Sequence, residues 1–165
     1  MKRREFLIVG GAVVAAAAGS FAYLGGSFAE EKGVEGNFEI TKTPEEWRAE
    51  LTEAEFAVLR EEDTERAYTS DLLKEKREGT YVCAGCALPL YSSETKFDSG
   101  TGWPSFYAAI DGAVGTKEDN SLFMTRTEVH CRRCGGHLGH IFDDGPPPTG
   151  KRHCINGVAL DFEAA

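Results

Sequence analysis

The chain has 165 residues, 41% of them apolar and 27% charged, which suits one globular domain and excludes a disordered or low-complexity chain. Its 27 acidic against 18 basic residues give a formal net charge of −9. A surface of that sign repels phosphates, so no nucleic-acid partner is expected.

The chain opens Met1-Lys2-Arg3-Arg4-Glu5-Phe6-Leu7, and residues 6–29 carry no charge. A basic start, an apolar run and small residues form the pattern of an export signal, and the paired arginines before Phe-Leu resemble a twin-arginine signal. Ser27-Phe28-Ala29 fits a cleavage site. The run is also long enough to span a bilayer, which takes about 20 residues, although Gly10, Gly11, Gly19, Gly25 and Gly26 dilute it. Residues 1–29 are therefore expected to be a twin-arginine-type signal segment, either cleaved or kept as an anchor through residues 6–29. The protein is expected to be exported, periplasmic or held at the outer face of the inner membrane. Residues 30–42 read as a linker, and 43–165 as the folded domain.

Within that domain Thr43-Pro44-Glu45-Glu46 supplies an N-cap, a proline at the first helical position and acids near the helix start, which predicts a short helix to about Ala49. Thr52 caps a second helix with Phe56 and Leu59 on its apolar face and Val58 at the edge. Residues 64–78 are charged and weakly periodic, and read as a loop with one helical turn at most. From Thr80 onward short β-type runs take over: Tyr81 to Cys83, Ser121 to Thr125, Glu128 to Cys131 and His153 to Phe162. Small helices followed by short antiparallel strands predict an α+β to mainly-β fold, and a monomer is expected.

Cys83-Ala84-Gly85-Cys86 and Cys131-Arg132-Arg133-Cys134 are two C-x-x-C knuckles. Two residues between thiolates let both sulfurs converge on one ion, and two such turns complete a tetrahedral Zn²⁺ site. A dithiol redox pair or a disulfide is the alternative for either knuckle alone. The duplication favours one zinc ion, held by Cys83, Cys86, Cys131 and Cys134. Four thiolates leave no open coordination position, so the metal is expected to be structural.

The fifth cysteine, Cys154, lies in Arg152-His153-Cys154-Ile155-Asn156. On a strand, Arg152, Cys154 and Asn156 share one face, and His153 and Ile155 take the other. A thiol beside a guanidinium and an amide is a candidate nucleophile; a buried structural cysteine is the alternative, and spacing alone leaves both open. Gly135 to Gly145 adds His137, His140, Phe142 and Asp144, of which His140, Phe142 and Asp144 share a face by alternation. His137 points away unless Gly139 marks a bulge. A histidine is the natural proton donor near neutral pH, and a second metal site at His137-x-x-His140 is the alternative. Trp103, between Gly102 and Pro104, is either a presented aromatic wall or ordinary core filling.

Taken together, Lys96-Phe97-Asp98-Ser99-Gly100, Gly102-Trp103-Pro104-Ser105-Phe106, His137-Leu138-Gly139-His140-Ile141-Phe142-Asp143-Asp144-Gly145 and Arg152-His153-Cys154-Ile155-Asn156, with both knuckles, resemble the B-type methionine sulfoxide reductases. The resemblance runs from about Thr43 to Phe162 and implies two small antiparallel sheets with short N-terminal helices. It implies that Cys154 attacks the sulfur of R-methionine sulfoxide in oxidised proteins or peptides, and that His140, helped by His137, handles the sulfoxide oxygen. Arg152 and Asn156 are implied to stabilise the thiolate and orient the histidine, Asp144 to support the site, and Trp103 to meet the substrate methyl, with Phe142 beside it. Members that regenerate internally carry a second cysteine in the Gly-x-Gly-Trp-Pro segment. Here that position is Thr101, so an external thiol or thioredoxin-like reductant is expected to act on Cys154 directly. A zinc-stabilised, non-catalytic binding module on the same fold is the alternative.

Overall fold

The computed structural model describes residues 36–121 and 124–165; the signal-like run lies outside them, as do Leu122 and Phe123. Helix α1, Pro44–Glu50, starts where the cap predicts: the Thr43 hydroxyl accepts the Glu46 N–H, and the Glu46 carboxylate accepts the Thr43 N–H. Helix α2, Glu53–Glu61, repeats that box with Thr52 and Glu55 and buries Phe56, Val58 and Leu59. The segment that follows α2 holds one 3₁₀ turn, Asp71–Leu73.

Nine strands follow among the described residues. They are β1 (Gly79–Cys83), β2 (Pro89–Ser92), β3 (Lys96–Phe97), β4 (Ser105–Phe106), β5 (Val114–Asp119), β6 (Arg126–Cys131), β7 (His137–Phe142), β8 (Arg152–Ile155) and β9 (Leu160–Ala164). They form a three-stranded sheet, β2-β1-β9, and a six-stranded sheet, β3-β4-β8-β7-β6-β5, with antiparallel pairing throughout. The core lies where the sheets meet. Tyr81, Leu90 and Tyr91 come from the small sheet, Phe106, Val129, Leu138 and Ile155 from the large one, and all are fully buried. The Tyr91 and Phe106 rings stack at 4.4 Å between centroids. Each such apolar side chain contributes roughly 1.5–3 kcal/mol on burial.

Two predicted runs differ. The stretch His153 to Phe162 is not one strand: the 3₁₀ turn Gly157–Ala159 divides it, so that β8 enters the large sheet and β9 the small one. At the break the chain packs so closely on Ser70 that a Cβ on Gly157 would fall 1.9 Å from its hydroxyl oxygen. Ser121 to Thr125 is not a strand at its described positions; it is the connection between β5 and β6. Asp119 draws the chain round by accepting the Ser121 N–H, and Thr125 donates to the Asn120 side chain. The strands themselves lie either side, and β5 carries Lys117 and Asp119 on its inner face, where a strand ordinarily carries apolar side chains.

Candidate active site

Each knuckle lies at a strand end, Cys83 closing β1 and Cys131 closing β6, so the four thiols tie the two sheets together. The four sulfurs lie within 4.8 Å of one another, with Cys83–Cys134 at 3.8 Å and Cys86–Cys131 at 3.5 Å. Tetrahedral Zn–S bonds of about 2.3 Å put sulfurs roughly 3.8 Å apart, so the cluster fits a zinc ion once the wider-spaced thiols close in slightly. Gly135 sits at φ +69° in the second knuckle, a left-handed turn that β-carbon-bearing residues rarely adopt.

Strands β7 and β8 build the reactive face. His140 is the direct cross-strand partner of Cys154. Gly139 makes that pairing possible, since a Cβ there would lie 2.0 Å from the Cys154 carbonyl oxygen. Between β6 and β7 the register shifts: Val129 faces Gly139 but His130 faces His137, leaving Leu138 as the extra residue of a bulge. The bulge turns Leu138 into the core and brings His137 beside His140, with 5.4 Å between ring centroids.

A cleft of about 140 Å³ opens over this face, lined by Trp103, His140, Phe142, Cys154 and Asn156, with Thr64, Arg126 and Gly139 completing it. Trp103 therefore lines the cleft instead of filling the core. Its turn is set by Gly102 at φ +94° and by the buried Pro104 that follows. Thr101 is adjacent, its hydroxyl oxygen 3.9 Å from Cys154 Sγ and 2.9 Å from the Ser99 hydroxyl.

Of the other sequence-predicted residues, Asn156 lines the cleft, while Arg152, Asp144 and His137 lie outside its lining. Arg152 lies over the Phe142 ring, 4.5 Å from its centroid, and donates from Nε and Nη2 to the two oxygens of Asp144, each at 2.9 Å. Asp144 thus holds Arg152 and is not part of the cleft wall. Asn156 bonds neither histidine: its Nδ2 donates to the Leu138 carbonyl at 3.1 Å, and its Oδ1 accepts the Glu65 N–H at 3.0 Å. His137 is buried, with Nδ1 2.9 Å from Glu128 Oε1 and with Nε2 unpartnered. His153, on the opposite face of β8, meets the Tyr91 hydroxyl at 3.2 Å.

Sequence reasoning missed the two carboxylates that fix the histidines. Asp119 Oδ2 lies 2.8 Å from His140 Nε2 and also accepts from Arg126 Nη2 at 2.6 Å. Glu128 holds His137 with one oxygen and the Lys117 ammonium, at 2.9 Å, with the other. Burial pushes both carboxyls up, but the hydrogen bonds outweigh it, from Ser121, His140 and Arg126 at Asp119 and from His137 and Lys117 at Glu128, so both are held low and ionised. A signal for them existed. Lys117 is the strand partner of Glu128, and Asp119 of Arg126, so opposite charges match at two positions across one hairpin.

Ionised carboxylates only accept, so Nε2 of His140 and Nδ1 of His137 carry the protons in those bonds. Burial lowers the His140 pKa, and Asp119 opposes it. Cys154 runs the other way: burial pushes the thiol up, against the Thr101 hydroxyl and the Arg152 guanidinium, while Asp144 adds to the rise. The site at rest thus pairs a protonated thiol with a neutral imidazole whose Nδ1 is free of the Asp119 bond.

The sequence profile of the SelR domain matches residues 51–164. Three curated relatives are named peptide methionine sulfoxide reductase MsrB. The one from Leptospira interrogans is 52% identical over 77% of this chain and 98% of its own length. That from Methanosarcina barkeri is 54% identical over 75% of this chain and 88% of its own length, and that from Pseudomonas putida is 58% identical over 75% and 94%.

Proposed function

The chain belongs to the SelR family of oxidoreductases, and from that membership we propose that it reduces the R epimer of methionine sulfoxide in oxidised proteins and peptides, with Cys154 as nucleophile. The observation that carries the reading is the cross-strand pair of His140 and Cys154 under a cleft walled by Trp103. The Cys154 sulfur attacks the sulfoxide sulfur while its proton passes to the sulfoxide oxygen by way of His140 Nδ1, the nitrogen left free by the Asp119 bond. The S–O bond of the substrate then breaks and its hydroxyl goes to Cys154. Methionine sulfur is reduced by two electrons, and Cys154 is oxidised to a sulfenic acid. His137, fixed by Glu128, stands next to His140 as a second polar group for that oxygen. Trp103 meets the substrate methyl, an apolar group suited to an aromatic face.

The four zinc-knuckle sulfurs belong to the other cysteines, and no cysteine is left to resolve the sulfenic acid. An external thiol therefore attacks Cys154, releasing water and forming a mixed disulfide that a second thiol reduces. Zinc would be held by Cys83, Cys86, Cys131 and Cys134 as a structural ion tying β1 to β6. The N-terminal pattern further supports an exported enzyme that repairs exported proteins.

The test follows R- and S-methionine sulfoxide in parallel, with dithiothreitol and then thioredoxin as reductant. The R epimer is expected to be consumed, with dithiothreitol supporting better turnover than thioredoxin. Reduction of the S epimer alone overturns the assignment. An intramolecular disulfide after one turnover overturns the single-cysteine cycle.

A further inference from the structure

The segment after α2 contains a residue that the reaction above does not use, yet that joins three parts of the site. The Glu65 carboxylate accepts the Gly157 N–H at 2.5 Å and the Val158 N–H at 3.1 Å, capping the 3₁₀ turn that follows the nucleophile strand. Its own N–H donates to Asn156 Oδ1 at 3.0 Å, and its carbonyl accepts the Trp103 indole N–H, also at 3.0 Å. Three residues on, the Tyr68 N–H and hydroxyl bond the carbonyls of Gly102 and Gly100, the glycines flanking Thr101.

We propose that Glu65 is a positioning residue that sets the epimer preference of the site by fixing the Trp103 ring; the proposal rests on the methionine sulfoxide reading above. A sulfoxide sulfur is chiral, so telling its epimers apart takes three fixed points: one for the attacking atom, one for oxygen and one for methyl. Cys154 and His140 are fixed by the β7–β8 ladder. Trp103 lies outside every strand, in a turn with glycines at φ +70° and +94°, and its indole N–H is held by the Glu65 carbonyl. That carbonyl stays in place because the carboxylate of the same residue grips the N-terminal end of the turn after β8, where two backbone donors lack helical partners. The charge-assisted bonds are the anchor, and the indole bond is what they position.

The experiment uses Glu65→Ala, which removes both acceptors, and Glu65→Gln, which keeps one, in the full zinc-loaded chain labelled with 5-fluorotryptophan. Its two ¹⁹F resonances, from Trp47 and Trp103, report each ring separately. In Glu65→Ala the Trp103 resonance is expected to shift or broaden while that of Trp47 stays. KM for an R-sulfoxide peptide should rise about 10-fold with kcat changed far less, and the R-over-S ratio of kcat/KM should fall by a similar factor. Glu65→Gln should recover part of each effect. An unchanged Trp103 resonance and epimer ratio overturn the proposal, as does a fall in kcat alone. If Glu65→Ala fails to fold, Glu65→Gln decides by the same readouts. A wild-type chain without R-epimer activity overturns the functional reading instead, and the ¹⁹F signals still decide whether Glu65 anchors Trp103.

Discussion

Replacing Thr101 with cysteine should convert the proposed single-cysteine cycle into one with an internal disulfide. The Thr101 hydroxyl oxygen already lies 3.9 Å from Cys154 Sγ. A disulfide has its sulfurs about 2.05 Å apart, so closure needs a further approach of ~2 Å. Gly100 and Gly102, at φ +70° and +94°, flank the position and let the turn absorb that movement together with a side-chain rotation. The bond would close a loop spanning 53 positions, and loss of loop entropy from the unfolded chain is then worth about 4 kcal/mol. A gain of that size raises the melting temperature of a domain this large by on the order of 10 °C. The assay is one turnover with an R-sulfoxide peptide and no reductant, followed by mass spectrometry. Wild type should carry one added oxygen on Cys154; Thr101→Cys should instead lose two hydrogens and become a substrate for thioredoxin. If the variant reduces the sulfoxide but accumulates the sulfenic acid, the two positions do not meet in solution and the reasoning fails.

Asp144→Asn should lower the Cys154 pKa, because it removes a negative charge that raises the thiol and frees Arg152 from its paired bonds. The pH midpoint for iodoacetamide alkylation of Cys154 should move down; an upward shift would refute the account. His153 gives a pH dependence of stability. Burial, with the Lys151 charge adding to it, holds the His153 pKa at about 4, below the ~6.5 of an unfolded histidine. As pH falls from about 7 to about 4, the unfolded chain takes up a proton that the native chain refuses, so stability is lost through that window, on the order of 3 kcal/mol. Urea titrations at several pH values should show it, and His153→Gln should flatten the slope. Cys86→Ser should abolish binding of one zinc per chain, read by metal analysis, and should lower the melting temperature far more than Cys154→Ser, which should abolish turnover with the metal intact.

The helices were legible because their signals are local. Thr43 with Glu46 and Thr52 with Glu55 are capping boxes within four residues, and no distant contact is needed to form them. Strands β2 and β5 were not legible in the same way. β2 is four residues long and begins at Pro89, and β5 reads Val-Gly-Thr-Lys-Glu-Asp, which lacks the apolar alternation that marks a half-buried strand. The inner face of β5 is polar because it carries Lys117 and Asp119 toward Glu128 and His140. What hid the strand from periodicity is therefore its part in the site. The break after Asn156 was hidden for another reason: it depends on Ser70 and Glu65, some 90 residues away, which local sequence cannot register.

The candidate site shows the same division between residue types and partnerships. Alternation along β8 places Arg152 near Cys154, and that proximity suggests a thiolate held by a guanidinium. The structure gives the guanidinium a prior partner: Asp144 takes two of its donors, and burial then dominates the thiol. A protonated Cys154 has a functional logic. A resting thiolate is open to any oxidant it meets, whereas a half-buried thiol becomes reactive only when something takes its proton. In the proposed reaction the sulfoxide oxygen is that taker, since it must gain a proton as the sulfur–sulfur bond forms. On that proposal His140, whose pKa burial lowers and whose ring Asp119 aligns, is the group through which the two requirements meet. Under the proposed mechanism, activation of the nucleophile is tied to the presence of an oxygen to protonate, and Asp144 would maintain that coupling by keeping Arg152 engaged.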